Sequence, residues 1–98
     1  MQKCIESTIW GRRLDYEYLV WIKNNAIRLG LKGITFFKND GSVRVIAEGE
    51  ENNLDIFARK LERGRTFLFF LSPIENFSVT WHEPRKEFED FSISESGE

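Results

Sequence analysis

The sequence predicts an α+β domain: an antiparallel sheet with two helices on one face and a short extra strand near the C-terminus. Three observations predict it. Apolar residues recur at helical spacing in two stretches, 18–29 and 50–64. Between and around them, short β-branched or aromatic segments alternate with period two. Their order is strand, helix, strand, strand, helix, strand, and two strand–helix–strand units in 98 residues leave room for one domain only.

Each element has its own signal. Residues 4–10, CIESTIW, are β-branched and half apolar, and read as the first strand. Leu19, Ile22, Ala26 and Leu29 then form one face of a helix, and Gly30 follows where a helix end favours a residue without a Cβ. GITFF (33–37) puts Ile34 and Phe36 on one face and Thr35 and Phe37 on the other. KNDGS (38–42) supplies turn chemistry, and VRVIAEG (43–49) returns as the partner of a hairpin. In 50–64 the buried stripe is Leu54, Phe57, Ala58 and Leu61, with acids at the start, Lys60 and Arg63 near the end and Gly64 as the stop. FSVTW (77–81) alternates cleanly, and FEDFSI (88–93) gives the short last strand after a polar connection containing Pro84. The order is that of a ferredoxin-like βαββαβ sandwich. The tail, about 94–98, is expected to fray.

Composition narrows the classes. Apolar residues make up 41% and aromatics 14%, enough for a packed core without metal or disulfide. A net charge of −2, with both signs interspersed, gives no footprint for nucleic acid or an anionic membrane. Cys4 is the single cysteine, which fits a reducing compartment. The start, MQKCIESTIW, has no apolar signal-like region, and the run FLFFL (67–71) is far short of the roughly 20 residues of a membrane helix. The expectation is a cytoplasmic protein without cofactor or metal.

LGLKG (29–33), NDGSVRVIAEGEENNLDIFARKLERG (39–64) and VTWHEPRKEFEDFSI (79–93) carry a more specific signal. They resemble the acylphosphatase family, over most of the chain and without a gap from Gly11 to Gly64. The resemblance implies the ferredoxin-like fold and hydrolysis of carboxyl-phosphate anhydrides without cofactor. It also implies a phosphate cradle after the first strand, an arginine clamping the phosphate and an asparagine holding the attacking water. Fixed donors and a positioned nucleophile are what such chemistry needs.

The family's loop reads approximately G-R-V-x-G-V-x-F-R. Here Gly11 and Arg12 match, Asp15 stands for a glycine and Glu17 for a small residue. Leu19 stands at the clamping arginine and Phe37 at the asparagine. Losing one positioned oxyanion donor costs about 10²–10³ in rate. A carboxylate roughly 5 Å from a phosphate charge adds about 3 kcal/mol of repulsion at an effective dielectric near 20. The leading expectation is a catalytically degenerate member acting as a binding or interaction module. Its alternative is an active acylphosphatase in which Arg12 or Arg13 clamps the anion. Asn39 belongs to the turn rather than to the water site.

Other candidates have plain readings. His82 has no triad or ligand set around it and reads as a surface histidine. Cys4 reads as a small core residue, and the acids of EGEENNLD (48–55) as charge at a helix start. Tyr16, Tyr18 and Phe37 either line an aromatic pocket or plug it. GRTFLFFLSPIENF (64–77) is longer than the family's connection and unusually aromatic. It reads either as an extended strand start with extra core packing, or as a patch for a homodimer or protein partner through residues 65–73, with Phe67, Phe69 and Phe70 at its centre.

Overall fold

Alternation along β1 (Gln2–Gly11) divides the sheet into two unlike faces, and every later element follows that division. The computed structural model describes residues 1–12, 14–64 and 74–94. Arg13, residues 65–73 with Phe67, Phe69 and Phe70, and the tail 95–98 lie outside the described residues.

Helix α1 (Tyr16–Arg28) ends at Leu29, where Gly30 adopts φ +69° and Leu31 N–H closes on the Ala26 carbonyl at 2.9 Å. Strands β2 (Lys32–Phe37) and β3 (Val43–Glu50) form the expected hairpin. Its turn is fixed by Gly41 at φ +86° and by the Asp40 carboxylate, which accepts from Ser42 N–H at 2.9 Å and Ser42 Oγ at 2.5 Å. Asn39 lies in this turn. Helix α2 (Glu51–Arg63) follows β3 with no loop and stops at Gly64, φ +83°. Strands β4 (Ile74–His82) and β5 (Phe91–Ile93) complete the order β4-β1-β3-β2-β5.

Two corrections follow. The sheet is mixed rather than wholly antiparallel, because β5 runs parallel to β2. The end of β4 and the start of β2 lie at the same end of the sheet, and the chain crosses to the other edge at that end, so β5 starts beside the start of β2 and runs with it. The last strand is also shorter than 88–93. In the other direction β4 begins at Ile74 rather than 77, through an irregularity opposite Trp10 and Gly11, so the end of the aromatic segment is strand.

Both helices cover one face. Ile5 and Ile9 of β1, Val43, Val45 and Ala47 of β3 and Phe91 meet Leu19, Ile22 and Ala26 of α1 and Leu54, Phe57 and Leu61 of α2. Leu29 and Ala58, expected in the stripes, are only partly buried. Burying a side chain such as Phe57 contributes about 1.5–3 kcal/mol through removal of apolar area from water. Among the described residues no helix is long and apolar enough to cross a membrane.

The other face is ionic. Arg44 donates to Glu6 at 2.6 Å and Thr8 at 3.0 Å, and the Arg85 guanidinium also donates to Glu6. Glu48, on the adjacent strand, accepts the Arg85 and Lys86 N–H groups at 2.6 and 3.1 Å. These carboxylates pin the 83–90 crossover to the sheet. Glu48 therefore serves the crossover, while Glu51 is the acid in the first turn of α2.

Candidate functional site

The strand-to-helix loop after β1 was the expected anion cradle, and its geometry turns on Asp15. Asp15 is extended at φ −110°, ψ −175° and its carboxylate accepts the Tyr18 N–H at 2.9 Å. It is the N-cap of α1. One of the free amides that would face a bound anion is thus taken by the chain's own carboxylate. Glu17, in the first turn, adds a second negative group at the positive end of the helix dipole.

Above this loop end lies a cavity of about 260 Å³, lined by Tyr16, Leu19, Phe37, Ile93 and Ser94. Tyr16 and Leu19 come from the first turns of α1, Phe37 from the end of β2, and Ile93 and Ser94 from the end of β5. Leu19 and Phe37 are thus brought together from distant parts of the sequence. Leu19 is 1% exposed, and Phe37 packs partly against the core. Among the described residues no charged side chain lines the cavity, which offers apolar contact and the hydroxyls of Tyr16 and Ser94.

The remaining candidates separate. Arg12 is exposed, with Nε 3.5 Å from a Glu75 carboxylate oxygen, so its charge is directed to β4. Arg13 lies outside the described residues. Tyr16 lines the cavity, but Tyr18 does not. Tyr18 is fully buried in the core and stacks on Trp21 with ring centroids 5.6 Å apart. Cys4 is buried and its thiol is pushed up to about 11, first by burial and then by the neighbouring Glu48 charge, so it is not a nucleophile at neutral pH. His82 ends β4, exposed, with Nε2 2.7 Å from Thr80 Oγ. Among the described residues no cluster of His, Cys, Asp and Glu could hold a metal ion.

Sequence reasoning missed two functional features. Ile93 and Ser94 line the cavity, and only the parallel placement of β5 brings them there. The N-cap role of Asp15 was also missed, although an aspartate directly before a helical pattern is a recognised start signal.

Comparison with known proteins agrees with this architecture. The acylphosphatase family profile matches residues 5–93. An acylphosphatase of Thermus thermophilus is 33% identical over 73 residues, 74% of this chain and 78% of that protein. One from Methanocella arvoryzae is 31% identical over 78 residues, covering 80% and 84%. The crystal structure of acylphosphatase from Bacillus subtilis superposes with a TM-score of 0.81 at 26% identity, covering 96% of this chain and 99% of that one.

Proposed function

The chain belongs to the acylphosphatase family, and from that premise we propose that it is a catalytically degenerate member whose loop end has become an apolar binding site. The observation that carries this reading is the cavity in which Leu19 and Phe37 meet, since the family pattern has its arginine and asparagine at those two places. Their apolar side chains can neither clamp a phosphate nor hold a water for attack. The Asp15 carboxylate on the Tyr18 amide supports it, because an incoming phosphate would have to displace a negative group from a donor it needs. The cavity suits a small neutral apolar group, such as an aromatic ring or the end of an apolar side chain from a protein partner.

The family match itself favours a second reading, retained hydrolysis of acyl phosphates with Arg12 or Arg13 as the clamp. Hydrolysis of benzoyl phosphate by the purified protein, beside its Arg12→Ala and Arg13→Ala variants, separates the two. The degenerate reading expects turnover at the spontaneous rate in all three. Turnover in the parent protein that one alanine variant abolishes would overturn it and identify the clamp. For the binding role, indole should shift the methyl resonances of Leu19 and Ile93, and inorganic phosphate should leave them unmoved.

A further inference from the structure

Among the described residues, strand β4 leaves one long edge of the sheet open. It lies at the end of the strand order, and among the described residues it pairs only with β1. The strand at the opposite edge, β5, has three residues, whereas β4 has nine. Long edges are usually blunted by lysine, proline or inward-pointing charge. The regular run of β4 beyond its irregular start, NFSVTWH (76–82), contains no Lys, Arg, Asp, Glu or Pro.

That run also matches itself. Laid antiparallel against a copy about Val79, it sets Phe77 opposite Trp81, Ser78 opposite Thr80 and Asn76 opposite His82, each pair occurring twice. The register with β1 puts Phe77, Val79 and Trp81 opposite Ile9, Ser7 and Ile5, on the helix side of the sheet. Trp81 is 43% exposed, while Phe77 and Val79 are half-buried by their own chain. Cross-strand aromatic pairs, a central β-branched pair and facing hydroxyls are combinations that stabilise strand pairing. The flanking carboxylates, Glu75 and Glu83, already face cations of their own copy, Arg12 at 3.5 Å and Lys3 at 3.0 Å.

We propose that a second copy of this chain docks on β4, antiparallel about a twofold axis through Val79, joining the two five-stranded sheets into one. A foreign strand would satisfy the open backbone groups equally well. The match of side chains about Val79 is one that a second copy of this chain supplies. One strand pair buries less than a standard interface of about 1,600 Å², so the dimer is a weak one that forms as concentration rises.

Sedimentation equilibrium over a rising concentration series tests this. The parent protein should pass from monomer to dimer. Val79→Lys and Val79→Glu each set like charges against each other at the axis, and each should weaken self-association by about tenfold or more. An equimolar mixture of the two should recover a heterodimer, which a merely structural defect would not do. Circular dichroism and a thermal melt check that each variant folds. Should substitutions at Val79 prevent folding, Trp81→Thr at its exposed position should also weaken the dimer. A parent protein that stays monomeric at every concentration would overturn the proposal. So would a dimer that these variants leave intact, since its contact would lie elsewhere, residues 65–73 included.

Discussion

The loop end of α1 and the crossover between β4 and β5 are both places where connecting chain closes over the sheet, yet they are built from opposite chemistry. At the crossover, Glu6 and Glu48 are satisfied by Arg44, Arg85 and two backbone N–H groups. At the loop end, the cavity is lined by Tyr16, Leu19, Phe37, Ile93 and Ser94, and the Asp15 carboxylate beside it caps its own helix. The difference teaches that charged groups remain in this fold where they hold chain to chain. At the loop end, the described side chains that line the cavity are uncharged.

The largest expected effect is at the crossover. Glu48 is 7% exposed and accepts two N–H groups, so Glu48→Ala leaves both donors without their acceptor. With hydrogen bonds to a charged group contributing about 1.5–3 kcal/mol each and partly overlapping, a loss of about 3–4 kcal/mol is expected. Urea unfolding measures it, and hydrogen exchange should show the Arg85 and Lys86 amides losing protection first.

Truncation at the cavity should cost less. Leu19→Ala removes a buried side chain, but it borders space already open, so about 2–3 kcal/mol is expected, the low end for a core leucine. A loss as large as that at Glu48 would mean that the cavity is closed in solution and would erase half of the contrast. The Asp15 cap follows. Asp15→Ala should cost about 1 kcal/mol, and Asp15→Gly only a few tenths, because glycine tolerates an N-cap position. Equal losses for the two would show that the carboxylate interaction with the Tyr18 amide, rather than backbone preference, carries the effect.

The legibility of the sequence divides along the same line. Periodicity exposed both helices and the hairpin, because Leu19, Ile22 and Ala26, like Leu54, Phe57 and Leu61, bury one stripe against one face of the sheet. Local pattern could not reveal that Glu6 and Glu48 hold a crossover 79 and 37 residues away along the chain, nor that β5 is parallel; those are outcomes of the strand order. At the cavity, the family pattern singled out Leu19 and Phe37, and the fold brings them together. Tyr18 was harder to place. It was expected to line or plug a pocket with Tyr16 and Phe37, but it is buried in the core and stacks on Trp21.

The smallest effect sharpens the ionic half of the comparison through pH. Burial pushes the Glu6 carboxyl up, but the hydrogen bond and charge of Arg85, with the charges of Arg44 and His82, outweigh it and hold the group below its usual range. A carboxyl depressed in the folded protein is protonated more readily in the unfolded chain, so unfolding takes up protons in the window between the two pKa values. Its contribution is therefore complete above the unfolded carboxyl value of about 4.3, and it is lost as pH falls through the folded value. Glu6→Gln keeps an acceptor for the arginines but does not titrate. It should be less stable than the parent by about 1 kcal/mol or less near neutrality, since the Arg85 guanidinium is 40% exposed and water screens the pair. The gap should narrow as urea midpoints are followed downward from pH 6. A gap that stays constant to the acid limit would assign the loss to packing rather than to charge, and the contrast between an ionic crossover and an apolar loop end would then rest on Glu48 alone.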